Sequence, residues 1–495
     1  MPKQAAFVKP AKPNVFSIGG SYAIVPCVPL EIGHRRQLLM DDAVVEDRWD
    51  CVRTVHQPVK SGANPLLTAT RPCEIKGPAW ISVLYDTQHA LFRLWTINAD
   101  LGNYEKGPFS RRCLYYESRD GLEWTAPDLG LIEFEGNTSN NIFTDGNYLY
   151  DSVHVIEMPA DRRQRGRFAR LYTRAPIGGA KDPNQPAGGL QIRIAFSNDG
   201  VRWEDQPENP VFYGRSDHQN NIVYNPERSV FMMYRRCTVN AQEIRRIAYS
   251  ESPDLIHWSQ PRSVMIPDEL DPSMFYTMTV DRYQDIYLGF LHNHYVDRDV
   301  RLAKACVTDA QLAWSRDGIH WSRHPKRPMF LEVGHIPSYD WGMVRIGKGL
   351  IERPDELWLY YIGCAGLHKP YPAGAPWYLC LAKLRKDGFV SVDAGNRQGA
   401  LLTRPVRCPG GQLHINARTK PGGSIRVAIR RGDGEHDGLW LDGLGFEQSQ
   451  PFTGDSINHV VRWTGSGDPA RLQDQTIRLH FRLENAELYS FWFED

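Results

Sequence analysis

Ser118-Arg119-Asp120-Gly121-Leu122-Glu123-Trp124 returns with the same Ser, Asp, Gly and Trp spacing as Ser197-Asn198-Asp199-Gly200-Val201-Arg202-Trp203 and Ser315-Arg316-Asp317-Gly318-Ile319-His320-Trp321. A fourth copy, Ser250-Glu251-Ser252-Pro253-Asp254-Leu255-Ile256-His257-Trp258, carries one extra residue in its turn. The Asp-Gly pair marks a tight turn, because Gly accepts positive φ and Asp bonds the backbone two residues on. An apolar run precedes each Ser (Leu114-Tyr115-Tyr116, Ile194-Ala195-Phe196, Ile247-Ala248-Tyr249, Leu312-Ala313-Trp314), and a Pro-rich extended stretch follows. The motif therefore reads as a β-hairpin whose Trp packs between repeating units.

Upstream of each hairpin lies a pair of strands of aromatic and β-branched composition. These are Trp80 to Tyr85 with Leu91 to Thr96, Ser152 to Ile156 with Arg170 to Thr173, Asn221 to Tyr224 with Phe231 to Tyr234, and Phe275 to Val280 with Ile286 to Leu291. A fifth unit runs Gly342 to Ile346, Leu357 to Ile362, Tyr378 to Leu384 and Asp387-Gly388-Phe389-Val390, with Phe in place of Trp. Four strands per unit, repeated at about 55 to 80 residues, predict blades, and a blade that cannot bury both faces alone must close in a ring. The fold expected is all-β, a five-bladed β-propeller over 35–395 followed by a C-terminal β-sandwich over 396–495, with 1–34 as an N-terminal extension. The segment Arg36 to Val44 is expected to lend a strand to the last blade and latch the ring.

The first strand of every blade lines the central channel, so residues at the starts of those strands converge. At that phase stand Glu74 or Trp80, Asp151, Asp217, Asp271 and Asp340. Four like charges around one axis repel and need an offsetting use, which makes Glu74, Asp151, Asp217, Asp271 and Asp340 the candidate catalytic residues. The bland alternative is that such acids cap turns. Neighbours suited to a polyhydroxylated ligand are His154, His218, Asn220, Arg236, Tyr276, His292, His294, His335 and Trp341. His292 and His294 alternate on one side of a strand; hydrogen bonding to substrate or to the acids is the role expected of them, with a metal pair as the alternative. No cofactor and no metal are expected.

The 58 basic and 58 acidic residues form no charged tail or stripe, so neither nucleic acid nor a membrane surface is an expected partner. No run reaches the roughly 18 apolar residues of a membrane span. Met1 to Gly20 holds Lys3, Lys9 and Lys12 without a continuous apolar stretch, from which a cytoplasmic location is expected. The nine cysteines are scattered, odd in number and free of C-x-x-C pairs, as befits small buried apolar residues. The sequence leaves the oligomeric state open, a homo-oligomer included.

The blade pattern, with its Asp-opened inner strand and S-x-D-G-x-x-W hairpin, resembles the five-bladed propeller glycoside hydrolases of families 32, 43, 68 and 117 and the related glycosidase phosphorylases. Gln37-Leu38-Leu39-Met40-Asp41-Asp42, Asp309-Ala310-Gln311-Leu312-Ala313, Asp340-Trp341-Gly342-Met343 and Leu384-Arg385-Lys386-Asp387-Gly388-Phe389 resemble a bacterial group described as family 32-like. The fructosidase motif W-x-N-D-P-N-G has no counterpart, Arg215-Ser216-Asp217 only echoes R-D-P, and Cys73-Glu74 reverses the Glu-Cys order. Fructan specificity is therefore not implied. What the resemblance implies is a glycosidase acting on a carbohydrate, a small or terminal sugar unit, with furanosides among the candidates. The alternatives are a phosphorylase, with Arg235, Arg236, His292 and His294 as phosphate ligands, and a non-catalytic carbohydrate-binding propeller.

Overall fold

Each hairpin tip is built by one short network. In the first copy, Ser118 Oγ donates to Asp120 Oδ1 at 3.0 Å and accepts the Gly121 N–H at 2.8 Å, while the same Oδ1 accepts the N–H groups of Leu122 and Glu123. Asp199, Asp254 and Asp317 repeat the pattern. Gly121, Gly200 and Gly318 hold φ of +78°, +84° and +76°. A Cβ on Gly318 would lie 2.7 Å from the Tyr234 hydroxyl, so the tip needs glycine for space as well as for conformation.

The computed structural model describes residues 15–18, 21–24, 28–99, 108–177, 190–213, 216, 219–239, 244–272, 274–295, 306–368, 375–432, 440–465 and 467–494. These residues form strands and short 3-10 turns, so the chain is all-β, and no helix among them is long and apolar enough to cross a membrane. The chain divides into two compact units, Gln57–Leu384, and Met1–His56 with Arg385–Asp495.

The first of these contains five successive antiparallel meanders. Their first three strands are Pro78–Asp86, Leu91–Ala99 and Arg111–Ser118; Tyr148–Glu157, Phe168–Pro176 and Gln191–Ser197; Asn221–Asn225, Val230–Val239 and Ile244–Ser252; Met274–Tyr283, Ile286–His294 and Ala310–Ser315; and Met343–Glu352, Glu356–Cys364 and Trp377–Arg385. The hairpin tips join one meander to the one before it. Trp95 Nε1 donates to Gly200 O at 2.6 Å and Tyr234 Oη to Gly318 O at 2.6 Å, linking second to first and fourth to third. Tyr360 Oη donates to Gly121 O at 2.8 Å, which links the first meander back to the fifth. The motif tryptophans follow: Trp124 meets Tyr360 edge-on at 5.7 Å, and Trp321 meets Tyr234 at 5.6 Å.

Side-chain bonds tie the first strands in the same cyclic order. Ser82 Oγ donates to Val155 O and accepts from Val155 N; His154 Nε2 takes the Ile222 N–H at 3.1 Å; Asn221 Nδ2 donates to Met278 O; Thr279 Oγ1 donates to Ile346 O at 2.8 Å. Lys348 pairs in parallel with Ser82, which brings the fifth strand beside the first. Gln219 crosses the interior, donating to Ile81 O at 2.6 Å and accepting from Thr277 Oγ1 through its carbonyl.

Residues 35–56 and 385–395 group with the C-terminal strands, which moves both expected domain boundaries. The expected latch at Arg36 to Val44 is corrected as well. Gln37 and Leu38 pair with Phe491 and Ser490, because Leu39 belongs to that unit's core and the Arg36 guanidinium lies 3.6 Å over the Trp492 ring. Val59 and Lys60 pair instead with Lys383 and Ala382 on the outer strand of the fifth meander. In the other unit, the strands Gln412–Arg431 and Thr476–Glu494 pair along most of their length, with bulges at Asn416/Ala417 and Thr419/Ser424. Leu413 and Ile415 from one half and Val427 and Ile429 from the other share one core, so the strand bends around it. Ten strands join in one hydrogen-bonded network there.

Lys348 is buried, donates to Val280 O at 2.9 Å and ion-pairs with Asp281. Lys348→Met leaves that carboxylate buried with only the Gly349 and Leu350 N–H groups, so a loss of roughly 3 kcal/mol is expected in urea unfolding followed by tryptophan fluorescence. Adding Asp281→Asn should restore part of it. A single-variant loss well under about 1 kcal/mol would refute this role.

Candidate active site

Three of the recurring acids at the strand starts share a pattern of bonds. Glu74 accepts the N–H groups of Thr70 at 2.6 Å and Arg71 at 2.9 Å and the Tyr116 hydroxyl at 2.6 Å. Asp271 accepts the Asp268 N–H at 2.9 Å and is held by the fork of Arg323 at 2.5 and 2.6 Å. Asp340 accepts Ser338 Oγ at 3.0 Å and Tyr361 Oη at 3.0 Å and ion-pairs with Lys60 at 2.6 Å. Each carboxylate folds back on its own approach loop and is anchored by an outer strand or strap of the same meander. Glu74, Asp271 and Asp340 are thus each held by bonds within their own meander. Asp217 and His218 lie outside the described residues.

The expected ligands divide in the same way. His154 and His292 receive backbone N–H groups, from Ile222 and from Ile346 at 2.9 Å, and belong to the frame. Burial pushes the His154 imidazole well below its usual range, consistent with a neutral ring accepting that bond. Asn220 is buried between Ser216 and Thr173. Arg236 is buried within the third meander, His335 is exposed, and Trp341 is half-buried beside Asp340.

Asp151 differs from the other acids. It is the extra residue of a β-bulge between Tyr150 and Ser152, and the equivalent bulge in the fourth meander, between Phe275 and Thr277, carries Tyr276. A bulge re-aims the side chain it inserts. Asp151 is buried and ion-paired with Arg111, the first residue of the neighbouring outer strand.

Tyr276 leads to a cluster at the same strand ends. Its ring stacks on Trp80 at 5.9 Å and 16° and meets His294 and His368 at 5.0 Å each. The Arg345 guanidinium lies 4.6 Å from the Trp80 and Tyr276 ring centres and 4.7 Å from Trp377, an enclosure by three π faces that offsets part of its desolvation. Arg345 is 1% exposed, and its Nε and Nη1 have no hydrogen-bond partner among the described residues. Cys306 Sγ sits 3.2 Å from His294 Nδ1, and Cys306 bridges backbone to backbone with His368.

Asp309 adds a carboxyl of another kind. It immediately precedes the third strand of the fourth meander, beside the end of the second strand, where its carbonyl accepts the Asn293 N–H. Oδ1 accepts Asn293 Nδ2 at 3.0 Å and Tyr295 Oη at 3.1 Å, and no cation pairs with it among the described residues. Burial, reinforced by the Glu332 charge, pushes the Asp309 carboxyl up to about 6, against the lowering effect of those two bonds.

Asp309, Arg345, Cys306 and His368 were not among the candidate site residues, because the candidate acids were taken from the starts of first strands and Asp309 stood only among the stretches of the family resemblance. In an antiparallel meander the end of the second strand and the start of the third share that edge, and both Asp309 and His294 occupy it.

No family model matches the chain, and no curated protein matches it. Similar solved structures include an N-acetylgalactosamine deacetylase from F. plautii in complex with blood group B trisaccharide, at 13% identity and TM-score 0.43, covering 73% of this chain and 96% of that one. A fructofuranosidase from Schwanniomyces occidentalis complexed with fructosylnystose is 11% identical at TM-score 0.41, over 88% of this chain and 98% of that one. A thermostable family-43 glycoside hydrolase is 14% identical at TM-score 0.41, over 64% and 93%.

Asp309 titrates at higher pH in the folded chain than its ordinary value of 3.8, so its stabilising contribution is full below about pH 4 and is lost as pH rises through 6. Asp309→Asn does not titrate. Between pH 4 and pH 8 the stability difference should therefore move by roughly 3 kcal/mol in favour of the variant, read by denaturant unfolding at both pH values. A pH-independent difference would refute the raised titration.

Proposed function

We propose that the chain is a glycoside hydrolase acting on a small or terminal sugar unit, that its five meanders are the blades of a five-bladed propeller, and that the second unit is a β-sandwich. The observation that carries the enzymatic reading is the contrast between two carboxyls at strand ends facing the same edge of their meanders: Asp309, buried without a cation among the described residues and raised to about 6, and Asp151, ion-paired with Arg111. A carboxyl whose environment raises it toward neutrality suits the acid role. Asp309 donates its proton to the leaving oxygen, and Asp151 serves as nucleophile or as base toward water.

A phosphorylase is the second reading. Arg345, with Nε and Nη1 unpartnered, favours it, since a buried guanidinium suits an anionic oxygen. Product release that requires added phosphate would select this reading over hydrolysis.

The test is a screen of oligosaccharides and aryl glycosides, furanosides included, with and without phosphate. On the substrate found, Asp309→Asn should lower turnover of an unactivated glycoside by about 10²- to 10⁴-fold while leaving a dinitrophenyl glycoside, whose leaving group needs no proton, far less affected. Wild-type turnover of the unactivated glycoside should fall as pH rises through about 6. Equal loss on both substrates would remove Asp309 from the acid role.

A further inference from the structure

We propose that His294, Cys306 and His368 form a binding site for one zinc ion, with water as the fourth ligand. All three side chains are buried, and their ligand atoms lie within 4.8 Å of one another. The scaffold fixes them independently of any ion. His294 closes a strand as the pairing partner of Met274, and the His368 N–H donates to Cys306 O at 2.9 Å, which sets Cys306 and His368 side by side. The imidazoles of His294 and His368 stand perpendicular with centres 4.7 Å apart, and Cys306 Sγ is 3.2 Å from His294 Nδ1.

Two imidazoles and a thiol are a borderline-soft donor set that suits zinc over magnesium or calcium, which require oxygen ligands. Three protein ligands leave one tetrahedral position open, the pattern of sites that hold an exchangeable water. Tyr276 Oη lies 3.2 Å from His368 Nε2, so His368 ligates through Nδ1 with the phenol as the outer partner that fixes ring orientation.

Charge around the thiol fits the same assignment. The Arg245 and Arg345 guanidiniums act on the buried Cys306 in favour of the thiolate, easing loss of the thiol proton. Zinc displaces that proton on binding, giving Cys–S–Zn and releasing H⁺ to solvent. The two guanidiniums then offset the cost of holding the sulfur anion in an aromatic enclosure.

The test uses the full chain. It is stripped with a chelator, dialysed, and titrated with zinc and with cobalt(II) alone, with metal content read by mass spectrometry and the cobalt complex by absorption. One zinc per chain is expected, with a thiolate-to-cobalt charge-transfer band in the near ultraviolet. Cys306→Ser should abolish that band, and His294→Gln and His368→Gln should each weaken zinc binding at least tenfold, while His320→Gln, on an exposed hairpin, retains wild-type affinity. Stripped wild-type chain that takes up no stoichiometric zinc, or a cobalt complex without a thiolate band, overturns the site. Because uptake by the wild-type chain decides the matter without a variant or a substrate, a failure here is separate from a failure of the glycosidase reading.

Discussion

Everything in the larger unit depends on the bonds that join the first strands to one another. A strand at the edge of a meander presents unpaired backbone groups, and burying them without partners costs free energy comparable to a lost hydrogen bond. Ser82, His154, Asn221 and Thr279 each reach from one first strand to the backbone of the next, and Lys348 beside Ser82 completes the circuit. Side chains substitute for a ladder that diverging strands cannot form. The same strands then present their starting edges together, which is where Asp151, Tyr276 and Arg345 stand.

Two layers of contact therefore impose one cyclic order. Near the interior it is polar, with Gln219 spanning from the third first strand to the carbonyl of Ile81. Farther out it is the hairpin tip, whose glycine carbonyl receives an aromatic donor from the preceding meander. The inner bonds also give buried histidines in strands a partner: His154 and His292 are acceptors of backbone N–H groups.

The hairpin repeat was legible in the sequence because each copy spends four identities on one local network, and local networks leave a periodic trace. The acids at the strand starts were equally legible as a pattern, but their meaning was not. Glu74, Asp271 and Asp340 each bond N–H or hydroxyl groups of their own approach loops, a use that the repeating pattern alone does not separate from chemistry. Asp309 and the His294–Cys306–His368 group occur once each, on edges brought together by pairing between distant segments, and a non-repeating pairing leaves no trace in a linear repeat. The segment at Arg36 to Val44 failed for a related reason. A short apolar strand fits the edge of either unit by composition, and only the contacts of Leu39 and Arg36 decide which.

The central claim is that the arrangement of strands leaves the Asp309 carboxyl buried, bonded to Asn293 and Tyr295, and without a cation among the described residues, so that it keeps its proton up to about pH 6. Carbon-13 NMR of chain labelled at aspartate, with Asp309→Asn supplying the assignment, reads that proton directly. A resonance absent from the variant and titrating near pH 6 is the result predicted. Titration of that same resonance at or below pH 4, in the ordinary carboxylate range, would contradict the account.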